Sequence, residues 1–201
     1  ALGTPYVAFL DLPLSQFASS GAAGFVAASS VPWPGSVAVY GSPEASGFRL
    51  RALATKPAIV GTLLDPLAMA ATSRLDRSTR VRVAITGGEL KAVTRLQVLE
   101  GANMAAIEVG AGQWEIVQFE TVELLAPQLY RLSNFLRGQG GSEHLVADAG
   151  EPLAAGARFV LLDGAVTEIG VTLDELRLPY RWRYGPGSRD LGDLSYAETT
   201  H

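Results

Sequence analysis

Cysteine is absent from this 201-residue chain, histidine occurs twice, and charge is sparse. Without cysteine there is no disulfide framework, no thiolate zinc site and no cysteine nucleophile. Two histidines, one of them the last residue, His201, are too few for a histidine-based metal site; the composition leaves an oxygen-only calcium site open, but no D-x-D-x-D-G loop occurs, and no metal or other cofactor is expected. Charged residues make up 18% of the chain, below the roughly 25% of an average soluble domain, and the mean hydropathy is positive. A chain so poor in charge carries more apolar surface than its own fold covers, which points to assembly into something larger. Sixteen basic and 20 acidic residues leave a net charge of −4. That balance offers no broad attraction to phosphates, so direct nucleic-acid binding is not expected. No apolar run reaches the roughly 20 residues of a membrane helix. The opening ALGTPYVAFLDLPL lacks the basic region of a signal peptide. It also lacks an initiator methionine and enters directly on an apolar stretch, which suggests a segment of a longer polypeptide.

What is present in quantity is turn-forming residues. Twenty-two glycines and 11 prolines are spread evenly between short apolar runs, the pattern of many short strands. Tyr6–Leu10 is a first strand. Ser15–Ser30 is small, polar and glycine-bearing, a weak helix or an irregular loop. Ser36–Tyr40 and Gly47–Leu53 form a hairpin, and Ala58–Leu64 is a further apolar run broken at Asp65-Pro66. Asp76–Thr79 is a polar loop. Arg80–Thr86 alternates cleanly, with Val81, Val83 and Ile85 on one face. Gly87-Gly88 then turns the chain into a strand at Glu89–Val93. Ala105–Val109 and Trp114–Phe119 follow, the second apolar on both faces and so buried on both. Leu125, Leu129, Leu132 and Leu136 carry helical spacing, with Pro127 near the start and Gly138 past the end. Arg158–Leu162 and Ala165–Val171 make a hairpin about Asp163-Gly164. Along Tyr180–Tyr184 the alternation packs Tyr180, Trp182 and Tyr184 on one side and Arg181 and Arg183 on the other.

Candidate chemistry is thin. Ser142, Glu143 and His144 bring a hydrolase to mind, but a triad requires convergence in space and adjacency in sequence does not supply it. There is no G-x-S-x-G elbow. Asp11, Asp65, Asp76, Asp148 and Asp163 each sit beside Pro, Gly or a turn, where Asp is favoured for bonding nearby backbone. Gly138-Gln139-Gly140-Gly141 lacks the Lys-Ser/Thr of a phosphate loop. Arg131 and Arg137, with Arg181 and Arg183, could bind an anion or stack on aromatic rings, but structural pairing with Glu115, Glu120 or Glu123 is the expected role. The residues argue against an enzyme.

The stretch WEIVQFETVELLAPQLYRLSNFLRGQGGSEH, Trp114–His144, resembles a segment of phage tail hub and tail-tip proteins. It is most similar to the large multidomain baseplate protein of alphaproteobacterial gene transfer agents, phage-derived particles that carry host DNA between cells. AFLDLPL (Ala8–Leu14), PWPGSVAVYGS (Pro32–Ser42), PAIVGTLLDPL (Pro57–Leu67), VLEGANMAAI (Val98–Ile107), FVLLDGAV (Phe159–Val166) and WRYGPGSRDLGD (Trp182–Asp193) resemble further landmarks of that family, so the likeness spans nearly the whole chain. Ser142 departs from it, standing where threonine is expected. The resemblance implies a virion-like structural component made in the bacterial cytoplasm and located in the tail baseplate. It implies a homotrimer about the tail axis, with other baseplate and tail proteins and tail fibres as partners. It implies no catalytic residues here, and it favours a strand at Gln128–Leu132 against the helical spacing.

The expected fold is mainly β, barrel- or sandwich-like, with long loops and at most short helices. Residues 1–201 form one segment, with a subdivision near 30–125 and 126–201 as the alternative. The candidate interface residues are Trp33, Tyr180, Trp182, Tyr184, Arg181 and Arg183, and the candidate interface segments are Ser15–Val31 and Tyr180–Tyr196. The alternative function is a carbohydrate-binding β module touching a host-surface glycan, which would need exposed, coplanar aromatic rings. A hydrolase centred on His144 is a third reading.

Overall fold

The alternation at Arg80–Thr86 is realised as the second half of a twelve-residue strand, Leu75–Thr86. Val81, Val83 and Ile85 are buried there, while Arg80 and Arg82 are exposed. The computed structural model describes residues 3–12, 24–72, 74–147, 151–170, 175 and 179–200. They fall into two units, Ala1–Ala58 with Gly164–His201, and Ile59–Asp163. In chain order the strands are β1 (Tyr6–Asp11), β2 (Gly24–Ser29), β3 (Val37–Ser42), β4 (Arg49–Ala54), β5 (Val60–Leu63), β6 (Leu75–Thr86), β7 (Met104–Gly110), β8 (Gln113–Ala126), β9 (Leu129–Leu136), β10 (Arg158–Leu161), β11 (Thr167–Ile169), β12 (Arg181–Pro186) and β13 (Ala197–Thr200). Two five-residue helices, α1 (Arg95–Leu99) and α2 (Glu143–Ala147), complete the described elements. The protein is thus mainly β, with short helices, as the punctuation of the sequence requires.

The unit Ile59–Asp163 is a closed barrel in the order β10-β5-β6-β9-β8-β7, each neighbour antiparallel. Its interior holds Leu63, Val81, Val83, Ile107, Val117, Phe119, Leu132, Phe135 and Phe159. Phe119 stands at the centre, with ring centroids 6.4 Å from Phe135 and 6.3 Å from Phe159. The other unit is a sandwich of a three-stranded sheet, β1-β2-β11, and a four-stranded sheet, β13-β12-β3-β4. Val7, Phe9, Val26 and Ala28 from the first meet Val37, Val39, Ala52, Ala54 and Trp182 from the second in one core.

Several local expectations are corrected. Gly24–Ser29 is a strand, and not a helix or loop. It lies between β1 and β11, where small residues buried on both faces fit despite weak propensity. The remainder of that expectation, 15–23, lies outside the described residues. Asp76–Thr79 is polar but remains within β6. Four steps from Asp76 to Arg80 are matched by only two on β9, from Phe135 to Ser133, so these residues form a bulge. The Asp76 carboxylate stabilises the bulge by accepting from Ser78 N at 2.9 Å, Ser78 Oγ at 2.6 Å and Thr79 N at 3.1 Å. Glu89–Val93 is not a strand, because both edges of β6 are already taken by β5 and β9. Leu90 turns into the barrel core instead. The Asp163-Gly164 turn does not join a hairpin: β10 pairs with β5 and β7, whereas β11 pairs with β2. The units part at 58/59 and 163/164, whereas position 125/126 lies at the end of the β8–β9 hairpin.

Asp76 carries a pH dependence. Burial alone pushes its carboxyl up, but the hydrogen bonds from Ser78 and Thr79 together outweigh burial and hold it at about 2. Its folded value is therefore below the ordinary 3.8, so its contribution is complete above about pH 5 and fades as pH falls through the folded value. Asp65, also held at about 2 by hydrogen bonds from the side chain and backbone of Arg82, acts in the same window. Asp76→Ala should cost on the order of 2 kcal/mol at pH 7. Urea unfolding at pH 7 and at pH 2 checks this: the gap between wild type and variant should narrow at pH 2, and a gap independent of pH would refute it.

Residues 127 and 128 explain how β8 returns as β9. Pro127 presets its own φ, and Gln128 has φ 60, the arrangement of a type II turn that favours glycine at the second position. Gln128→Gly should therefore raise stability by about 0.5–1 kcal/mol. A lower urea midpoint would instead show that the 3.5 Å contact from Gln128 Nε2 to Gly88 O outweighs the backbone strain.

Candidate interface on the four-stranded sheet

On β12 the side chains divide between the two faces of the sheet. Tyr180, which precedes the strand, and Trp182 are 3% and 4% exposed. Their rings stack at 5.2 Å, and Phe9 of the opposite sheet approaches Trp182 at 5.2 Å. Gly41 lies directly beneath: a Cβ there would come within 2.6 Å of the Trp182 ring, so only glycine accommodates it. Trp33 and Tyr184 are half-buried against the same core. Burial raises the Tyr180 and Tyr184 hydroxyls above their ordinary pKa. Tyr180 and Trp182 are therefore anchors of their own unit. They cannot form the exposed ring platform that glycan binding would need, although they stack on each other.

Arg181 and Arg183 lie on the outer face, and the register shows what stands beside them. Directly paired residues share a face, so Glu198, Arg183, Tyr40 and Leu50 form one row across β13, β12, β3 and β4. A second row is Gly185, Ala38 and Leu53, with the Tyr196 ring lying over Gly185. A third is Thr200, Arg181 and Ser42. Leu50 and Leu53 are 52% and 44% exposed, and Tyr40, Phe48 and Tyr196 are half-buried. The Arg183 guanidinium sits 4.9 Å over the Phe48 ring while its Nε donates to Glu198 at 2.9 Å. Arg181 reaches the same carboxylate at 3.4 Å. The Arg183 hydrogen bond, more than any other influence, holds the Glu198 carboxyl below its usual range. Tyr196 donates its hydroxyl toward the backbone carbonyls of Pro186 at 3.2 Å and Arg189 at 3.3 Å, and its ring is tilted 53° from that of Tyr40.

The sequence singled out Arg181 and Arg183 but missed the rest of this face. Tyr40 was legible, since Val37 and Val39 alternate with it. Leu50 and Leu53 were not, because an irregularity between Val39 and Tyr40 makes Ala52 and Leu50 successive partners and breaks the alternation on β4.

The hydrolase candidates do not converge. Ser142 is fully buried, and its Oγ accepts from Ile116 N at 2.9 Å and donates to Gln139 O at 2.8 Å. It therefore ties the chain after β9 to β8. His144 is exposed on α2. The arginines pair as structural ions: Arg131 with Glu123 at 2.8 Å and Arg137 with Glu115 at 2.6 Å, while Glu120 takes Arg95 at 3.4 Å. Among the described residues no group of three or more His, Asp or Glu side chains could hold a metal. Asp148 lies outside the described residues.

A family model described as Rcc01698-like, C-terminal matches residues 58–160, a stretch that coincides with the barrel unit. No curated protein matches the chain.

Proposed function

We propose, from the premise that this chain belongs to the Rcc01698-like, C-terminal family, that it is a non-catalytic structural part of the baseplate of a phage-tail-like particle of the gene-transfer-agent kind. The observation that carries the reading is the segment Trp114–His144. Its resemblance to the baseplate protein of those particles runs through β8, β9 and α2, within a barrel that the family model matches almost end to end. The physical features agree with a building role. The Ser142 hydroxyl, part of the hydrolase reading, is committed to tying backbone segments together. The sandwich unit turns an apolar, arginine-bearing sheet face to solvent. In this reading the chain joins the tail hub to neighbouring subunits or fibres and is arranged as a homotrimer about the tail axis.

The test is genetic and biochemical. Removing the coding segment for these residues should leave particles without complete tails and abolish DNA transfer, and mass spectrometry of purified wild-type particles should recover peptides from both units. Intact, transferring particles that lack the segment would defeat the proposal. Glycan binding gains no support from the rings, since the stacked pair is enclosed and the half-buried pair on the outer face is tilted.

A further inference from the structure

We propose that the outer face of the four-stranded sheet docks a protein partner that presents an apolar ridge bordered by a carboxylate. The proposal rests on the structural reading above and names the partner chemistry that this face selects. Three observations converge. Leu50 and Leu53, both about half exposed on β4, stand beside Tyr40 and Tyr196 and make a continuous apolar centre. Tyrosines and an arginine grouped on an apolar sheet face are the composition of an interface centre and not of a solvated rim. The charges beside that centre differ between its two ends: Asp190 and Asp193 lie near Tyr196, whereas at the other end two guanidiniums share the single carboxylate of Glu198. The surplus at the Arg181 end is positive on a chain whose net charge is −4, so the complementary group there is an anion.

The third observation is preorganisation. Phe48 beneath the Arg183 guanidinium fixes its plane, which lowers the entropy lost on binding. Arg181, 47% exposed and 3.4 Å from Glu198, has donors left to turn toward a partner's carboxylate. A sugar would need parallel, open rings, whereas Tyr40 and Tyr196 are tilted by 53° and the Tyr196 hydroxyl is turned to its own backbone. A nucleic-acid backbone would meet Glu198 in the middle of the basic pair.

The experiment uses intact particles carrying the full polypeptide, with a photo-cross-linking amino acid in place of Leu50, of Leu53 or, as a control on the barrel, of the exposed Leu124. The expected result is a cross-link at 50 and 53 to a peptide of another polypeptide that carries Asp or Glu within a few residues of the linked apolar side chain. Arg181→Gln, which should leave the unfolding midpoint close to that of wild type because the pair is exposed, should lower that yield about tenfold, the loss of one charge-assisted contact. Assembled particles with no interchain cross-link at 50 or 53 overturn the proposal. So do cross-links to glycan, to nucleic acid or to a peptide without a nearby acid. Assembly without cross-links leaves the baseplate reading standing. Cross-links of the expected chemistry to a protein that is not a particle component remove the baseplate reading and keep the docking face.

Discussion

Replacing Glu115 by leucine should cost the barrel about 3–5 kcal/mol, the usual loss when one partner of a buried ion pair is removed. Glu115 and Arg137 have side chains only 1% and 4% exposed. The carboxylate accepts from Arg137 Nε at 2.6 Å, from Arg137 Nη2 at 2.8 Å and from Gly138 N at 3.1 Å. Arg137 Nη1 donates in turn to Ala68 O at 2.7 Å. Deleting the acid would leave a guanidinium enclosed beside a cavity of about 20 Å³, room for roughly one water. Bulk solvation therefore cannot replace the lost partner. The double change Glu115→Leu with Arg137→Met should recover most of the loss, because two apolar side chains need no partners. It should not recover all of it, since Gly138 N and Ala68 O lose theirs. Urea unfolding followed by Trp114 fluorescence is the measurement. A single variant within 1 kcal/mol of wild type would mean the pair is hydrated and the barrel mouth open.

Trp182→Ala should destabilise the sandwich unit by about 3–5 kcal/mol, as large-to-small changes at a buried tryptophan do. The ring fills the space over Gly41 and contacts both Tyr180 and Phe9, so its removal leaves a cavity that Gly41 cannot fill. Arg181→Ala, one residue away and half-exposed on the other face, should change stability by less than about 1 kcal/mol. The contrast between neighbours is what the alternation of β12 demands. Equal effects from the two changes would mean that the face assignment is wrong.

How far the sequence showed this fold depended on whether its signals were local. Alternation at Arg80–Thr86 and the two-faced apolar run at Trp114–Phe119 translated directly into β6 and β8, because period two is a property of the strand itself. The leucines at 125, 129, 132 and 136 carry a helical spacing but share no face: of the four only Leu132 is buried in the barrel core, beside Tyr130 and Phe135 of the same strand. Asn134, at φ 60, shifts the pleat of β9, so Leu132 and Phe135 both point into the barrel although they are three residues apart. Partner choice was legible across a local hairpin, as at β3–β4, but not between distant strands. Asp163-Gly164 is a good hairpin turn by chemistry, yet it ends a barrel strand and leads into a different sheet, because pairing is decided by edges that become available only in three dimensions. The interface was legible in part. The aromatic and arginine residues of Tyr180–Tyr184 drew notice, but the sequence could not say that the aromatics face the core and the arginines the exposed leucines of β4.

The most direct test of the account is a reconstruction of the intact particle with the chain built into its density. The account predicts that the barrel and the sandwich are both found in the baseplate, repeated about the tail axis, with the Leu50–Leu53 face covered by another polypeptide. A complete baseplate density with no place for either unit would contradict it.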